Sequence, residues 1–306
     1  MRLCQFQLAG GRRRVGLVED GAVIDVTAPR DGVTSVLDLL RRGRTGAGIE
    51  RLVRRLARGP RRRRYPWRAL DRAPAGRRPG LLVPIDAPEV WGAGITYRRS
   101  AEYYAEHESG HTGRVKGIYD YVYESERPEL FFKATAARCA GPHTPIGLRG
   151  DSKLTAVEAE LACVIGEGGA IVAYTIGNDL SAWDIERENP LFLPQSKIFE
   201  GGFAFGPVLA TPATVPDAHA LTIRCGIERE GRRLYEGQAS TGDLKRRCDE
   251  LVDWLGRYNP IPPGTVLSTG TGILVPDEHA LQPGDVVSIT IEPIGTLRNP
   301  VRRLGA

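Results

Sequence analysis

The segment VEAELACVIG, residues 157–166, sets two carboxylates two positions apart at the head of an apolar run. In a strand successive side chains alternate, so Glu158 and Glu160 project from one face with Cα atoms about 6.5–7 Å apart. The continuation LACVIG is apolar on both faces, as a buried strand is. Two carboxylates buried side by side repel and lose hydration unless a cation compensates them or they share a proton. Read alone, the segment also fits an exposed strand start with two solvated glutamates. The next β-branched run, AIVAYTIGNDLSAWD, brings Asp179 to its end in an Asn-Asp turn, where aspartate is common simply as a turn residue. Three carboxylates from two strands of a β-rich core nevertheless make an all-oxygen donor set. That set suits Mg²⁺, with Mn²⁺ or Ca²⁺ as substitutes, rather than zinc.

The elements that must hold these groups are mostly strands. From Leu81 onward LLVPI, LACVIG, AIVAYTIG, LTIRCGIE, TVLSTG and VVSITIEPIG are β-branched runs bounded by Gly, Pro or Asp. Two helices are predicted, near Arg99–His107 and near Leu244–Tyr258. The second carries Leu244, Cys248, Leu251, Val252 and Leu255 on one stripe and stops before Pro260. So many strands with so few helices exclude an alternating βαβ sheet and predict a mostly β, α+β fold built as a sandwich, barrel or roll. Residues 1–80 read as a small α+β domain. It has three short strands (CQFQLAG, RRVGLVED, GAVIDVT), two helices around Val36–Leu40 and Ile49–Leu56, and an Arg/Pro-rich linker from Gly59 to Pro79. Residues 81–306 form the second domain. There is no P-loop, G-x-S-x-G or H-E-x-x-H, and no helix follows the STGTG run at Ser268–Gly272, so a nucleotide site is not supported.

With 41% hydrophobic and 26% charged residues the chain is an ordinary globular one, not a disordered one. No stretch approaches the roughly 18 apolar residues of a membrane helix, and the arginines near the start do not form a secretory signal. Five scattered cysteines without a C-x-x-C pair predict reduced thiols and a cytoplasmic location. The net charge of +5 conceals a division: residues 1–80 hold 20 of the 42 basic and 7 of the 37 acidic residues, a net of +13, which leaves −8 for the remainder. A basic patch can mark a nucleic-acid surface. Arg61–Arg64, however, stand in RGPRRRRYPWR without interleaved stacking aromatics. Exposed helix and linker arginines are expected, with neither nucleic acid nor membrane as partner. The histidines at 107, 111, 143, 219 and 279 do not cluster; His107 and His111 fall in AEHESGHTGR, read as a loop with both side chains solvated.

Taken together, ExELAxVIG at 158–166, YTxxNDxSAxD at 174–184 and a lysine about eighteen residues after Asp179 resemble the fumarylacetoacetate hydrolase superfamily. GITY (94–97), FFKAT (131–135), LSTGTG (267–272) and the tail LQPGDVVSITIEPIGTLRNPV extend the resemblance over roughly Pro84 to Leu304. The resemblance implies a mixed β-sandwich roll as catalytic domain, a variable N-terminal domain and a homodimer or homotetramer. It also implies Glu158, Glu160 and Asp179 as metal carboxylates, Lys197 as the active-site lysine and Thr271 as holder of a substrate carboxylate. Within the superfamily, YESERPELFFKAT (123–135), ERENPLFLPQSKIFEG (186–201) and GITYRRS (94–100) are similar to the branch that dehydrates 2-keto-3-deoxy sugar acids such as 2-dehydro-3-deoxy-D-arabinonate. That branch usually reads V-P-E-P-E, S-R-D and I-E-G-E-N. Here the corresponding segments are AVEAE, Ala182-Trp183-Asp184 and IEREN, which leaves room for a different substrate.

The implied chemistry is Lewis-acid stabilisation of the enolate formed when a chelated 2-keto acid loses a C3 proton. Dehydration, decarboxylation, tautomerisation and C–C cleavage all share that step. Lys197 is expected to act as acid/base or electrostatic partner, with its pKa lowered beside a cation. Arg98, Ser100, Lys133, Gln195 and Thr271 are candidates for gripping the substrate. The first expectation is a Mg²⁺-dependent hydro-lyase acting on a 2-keto-3-deoxy sugar acid or related 2-keto acid. The alternatives are a β-keto acid decarboxylase or C–C hydrolase of the same superfamily, or a catalytically silent scaffold. Hydrolases of the superfamily carry G-x-N-Y-x-x-H-x-x-E, whose His and Glu activate water. Aligned on Gly94 and Tyr97, this chain has Thr96, Ser100 and Tyr103 at the Asn, His and Glu positions, so loss of water is expected rather than hydrolysis.

Overall fold

The run Ala159–Ile165 is a strand buried along its whole length, and its alternation feeds two cores. Leu161 and Cys163 join Ile176, Ala204 and Val208, together with Ile223, Ile227, Val287 and Ile289 from a second sheet. Ala162 and Val164 join Phe203, Phe205 and Leu209, together with Val36, Leu39, Ile49 and Val53 from two helices. Burying each such aliphatic side chain is worth about 1.5–3 kcal/mol, which is what holds the layers together. Glu158 and Glu160 fall on the same side as Ala162 and Val164.

The computed structural model describes residues 1–59, 62–107 and 117–305. The large sheet runs in the order Arg64–Pro66, Ala22–Asp25, Arg13–Glu19, Arg2–Gln7, Phe203–Ala210, Ile171–Asp179, Ala159–Ile165, Val266–Ser268, Val90–Gly94, Glu129–Ala134. Most neighbours are antiparallel; Val266–Ser268 and Val90–Gly94 run parallel. The second sheet is Arg232–Ser240, Thr222–Arg229, Val286–Ile291, Gly295–Arg303 and Ile146–Leu148. The result is a mostly β, α+β fold, as the strand count predicted, built as the sandwich roll that the resemblance implied.

The boundary expected at residue 80 does not interrupt this sheet. Arg2–Gln7 pairs with Phe203–Ala210, Arg2 opposite Ala210 and Leu3 opposite Leu209. Three short strands cannot close a core alone, so Leu3 packs with Leu209 on one side and Phe6 with Val208 on the other. The expected linker is also partly ordered: Arg64–Pro66 adds a strand beside Ala22–Asp25, and Trp67–Leu70 forms a short helix. The two N-terminal helices are Val36–Gly43, started by a capping box between Ser35 and Asp38, and Gly46–Ala57, capped by Thr45.

A helix spans Arg98–His107, close to the predicted bounds. The other begins later than predicted, at Cys248, because Tyr97 holds Leu244 in a β-bridge before the helix starts. Of the expected histidine loop, 108–114 and therefore His111 lie outside the described residues. Among the described residues no helix is long and apolar enough to cross a membrane.

Candidate active site

Three carboxylates meet where two central strands end. Ala159 is opposite Asn178 in the antiparallel pair, and the Asp179 N–H donates to the Glu158 carbonyl at 2.9 Å. Glu158, Glu160 and Asp179 are all buried, each offering an oxygen within 4.8 Å of the others. The two glutamates therefore share a face, as their spacing predicted, and they are not solvated.

Each carboxylate is held differently. Glu158 accepts from the Trp183 indole at Oε1 (2.9 Å) and from Lys197 Nζ at Oε2 (2.8 Å). Burial opposes its ionisation, but Lys197 overcomes this and holds its pKa below the usual value. Glu160 Oε2 accepts from Ser268 Oγ at 2.5 Å and Gly270 N–H at 2.7 Å. Burial, then Asp179 and Glu158, push its pKa well above the usual value. The STGTG run thus wraps a carboxylate rather than a nucleotide. Gly270 is required there: its φ is +92°, and a Cβ would come within 2.0 Å of Thr96 Oγ1. Asp179 Oδ1 lies 2.6 Å from Lys133 Nζ, a buried ion pair. Three buried carboxylate oxygens within 4.8 Å of one another, one of them on a glutamate whose ionisation is opposed by burial and by its neighbours, form an all-oxygen donor set that fits a hard divalent cation such as Mg²⁺.

Lys197 ends the short helix Leu193–Lys197 and is 4% exposed. Its ammonium donates to Ser181 Oγ (2.6 Å), Glu158 Oε2 (2.8 Å) and Asp179 Oδ2 (3.5 Å). Burial pulls its pKa down, but Asp179, Glu158 and Glu186 together hold it well above the usual value. The lowering expected for Lys197 refers to a cation bound beside it, whereas these neighbours are carboxylates.

The surrounding pocket is lined by Ser100, Glu129, Glu186, Lys197 and Thr271 beside the three carboxylates. Ser100 Oγ donates to the Thr271 carbonyl at 2.5 Å, fixing the helix Arg98–His107 against the wall. Thr271 Oγ1 is tied to Ala159 O at 3.0 Å. The other expected gripping residues lie elsewhere. Arg98 and Gln195 are exposed and do not line the pocket; Arg98 stacks on Tyr123 and the Gln195 carbonyl accepts from Arg149. Lys133 is 1% exposed, and its ammonium serves Asp179 Oδ1 together with the carbonyls of Leu180 and Lys197, leaving no donor for a substrate.

Two carboxylates in the pocket escaped sequence reasoning. Glu129 is raised by burial against the counteracting pull of Lys197. Glu186 is pushed by burial to about 7. Period-two spacing puts Glu129, Phe131 and Lys133 on one strand face, a signal that marks Glu129. No local signal separates Glu186 from the exposed Glu188.

Residues 89–302 match the family model for the fumarylacetoacetate hydrolase C-terminal domain. Over 225 residues the chain is 47% identical to 2-dehydro-3-deoxy-D-arabinonate dehydratase of Saccharolobus solfataricus, covering 73% of this chain and 74% of that one. Over 219 residues it is 44% identical to a probable 2-keto-3-deoxyxylonate dehydratase of Haloferax volcanii, covering 72% and 74%. Among solved structures it is similar to 2-keto-3-deoxy-D-arabinonate dehydratase complexed with magnesium and 2,5-dioxopentanoate, with a TM-score of 0.82, 36% identity and 99% of each chain covered.

Proposed function

From the premise that this chain belongs to the fumarylacetoacetate hydrolase family, we propose that it is a Mg²⁺-dependent dehydratase of a 2-keto-3-deoxy sugar acid. The observation that carries this reading is the convergence of Glu158, Glu160 and Asp179 with Lys197 around one pocket. A relative of nearly half-identical sequence is named for that reaction. When bound to the three carboxylates, the cation supplies positive charge to the carboxylate and carbonyl oxygens of a 2-keto acid and so makes its C3 hydrogens more acidic.

The chain's own groups do the rest. Glu129, whose carboxyl burial pushes up, takes the C3 proton, because a base with a raised pKa is a stronger acceptor. Lys197, kept protonated by its carboxylate neighbours, holds positive charge and a proton at Nζ for the departing C4 hydroxyl. Ser100 and Thr271 hold the polar substrate against the wall, while Lys133 positions Asp179 and the Lys197 backbone instead of touching substrate. Arg98 and Gln195 have no part in this assignment. Five unpaired cysteines support a reducing, cytoplasmic setting. The family match from residue 89 supports residues 81–306 as the catalytic part. A homodimer or homotetramer completes the proposal, to be checked by light scattering.

The deciding test is a panel of 2-keto acids assayed with Mg²⁺ and followed by product mass. Loss of water from a 2-keto-3-deoxy pentonate or hexonate is expected; loss of carbon dioxide, or no turnover, would overturn the reading.

A further inference from the structure

Trp183 is completely buried and does not line the pocket. It reaches the site through Glu158, to whose Oε1 its indole N–H donates at 2.9 Å. The other oxygen of that carboxylate is taken by Lys197 at 2.8 Å. An indole N–H is donor only and carries no charge. It can therefore fix the rotation of a carboxylate without adding positive charge to compete with a cation.

The indole is itself packed between Arg187 and Tyr103. Arg187, one turn further along the helix Trp183–Glu188, stacks its guanidinium 5.1 Å from the indole centroid. The same guanidinium donates to both oxygens of Asp277, at 2.6 and 3.0 Å, and to Tyr103 Oη at 3.4 Å. Tyr103 donates to Asp277 Oδ1 at 3.1 Å and packs its ring 5.5 Å from the indole. Tyr103 lies on the helix that also carries Ser100 into the pocket. The main-chain N–H of Trp183 is tied to the Leu154 carbonyl at 2.9 Å. Packing of this kind leaves the ring one orientation.

We infer that Trp183 is a positioning residue for Glu158, and that Arg187, Tyr103 and Asp277 act through it by locking the indole. The inference rests on Glu158 being a metal carboxylate. Donors behind a metal ligand are worth roughly 10–100-fold in metal affinity, and Trp183 donates to Glu158 without lining the pocket.

The test is Mn²⁺ titration, followed by the EPR signal of free Mn²⁺, of the full chain and its Trp183→Phe variant. Phenylalanine keeps a ring for Arg187 and Tyr103 but removes the N–H. The expected result is a Mn²⁺ affinity weakened about 10–100-fold, with a melting temperature close to that of the parent. At saturating Mn²⁺ kcat is largely restored. A lowered melting temperature with unchanged Mn²⁺ affinity would assign Trp183 a merely structural role and overturn the inference. If the unaltered chain bound no Mn²⁺, the metal reading of Glu158 would fall first, so the two failures are distinguishable. Should the variant not fold, ¹⁵N-tryptophan labelling of the unaltered protein gives four indole signals. The one protected from solvent exchange is expected to shift on adding Mg²⁺, and its indifference would overturn the inference.

Discussion

Lys133 Nζ lies 2.6 Å from Asp179 Oδ1, with both side chains out of solvent. The lysine also spends its donors on the carbonyls of Leu180 and Lys197, so it joins the strand Glu129–Ala134 to two segments that carry the site. Removing one partner of a buried ion pair leaves the other uncompensated, at a cost of about 3–5 kcal/mol. Lys133→Met is expected to lose stability of that order in urea unfolding. A midpoint within error of the parent would show that Lys197 alone compensates Asp179.

Glu158 and Glu160 are expected to behave oppositely in the metal-free protein although both are proposed as ligands of the cation. Glu160 is opposed by Asp179 and Glu158, so Glu160→Gln removes a repulsion and is expected to leave metal-free stability unchanged or raised. Glu158→Gln weakens the pair with Lys197 and is expected to lower it. Both variants are expected to lose tight Mn²⁺ binding in calorimetry. Retained binding in either would remove that residue from the site.

How much of this was readable in the residues depends on range. The alternation of Glu158 and Glu160 is local, and the pleat puts both on one face as spacing required. Asp179 and Lys197 were legible as motif positions. Whether a polar residue faces the pocket is decided by contacts far along the chain: Lys133 meets carbonyls at 180 and 197, and Arg98 turns out to Tyr123. Nor could short-range patterns tell that Leu3 would pack against Leu209, which is what merges the N-terminal strands with the main sheet.

Lys197→Met is expected to lower kcat about 10²–10⁴-fold, the usual worth of a positioned proton-transfer group. Divalent affinity is expected to hold or rise, since a cation within 3.5 Å of Glu158 and Asp179 is removed. Parallel loss of Mn²⁺ affinity and turnover would make the lysine a structural support instead.

Asp38 closes the capping box of the helix Val36–Gly43, which covers the core behind the site. Burial raises its pKa, but hydrogen bonds from Thr34 and Ser35 outweigh this and lower it. A lowered carboxyl stabilises the fold above its unfolded pKa, near 4, and that contribution is lost as pH falls through the folded value. Asp38→Ala is expected to cost about 1 kcal/mol at pH 7 and less at an acid pH below the lowered folded value, where the carboxyl is protonated. Equal differences in melting temperature at both pH values would show that the cap does not act through its charge.

The choice between elimination and hydrolysis rests on the helix Arg98–His107. Hydrolysis of an acylpyruvate needs a group that deprotonates water beside the reacting carbonyl. At the two positions where superfamily hydrolases place that dyad, Ser100 is bonded to the Thr271 carbonyl and Tyr103 is bonded to Asp277 and Arg187. Burial and the Asp277 charge push the Tyr103 phenol up to about 12, so it stays protonated near neutral pH and accepts no proton from water. Glu102, next to it, is exposed, as the roughly 100° between successive helix residues requires. Elimination needs only an acidified C–H and a proton for the departing hydroxyl, and Glu129 and Lys197 answer those needs within one pocket. Acetylpyruvate is therefore expected to remain intact with the enzyme and Mg²⁺ under conditions in which a 2-keto-3-deoxy acid loses water. Rapid release of acetate and pyruvate, followed by proton NMR, would reverse the choice.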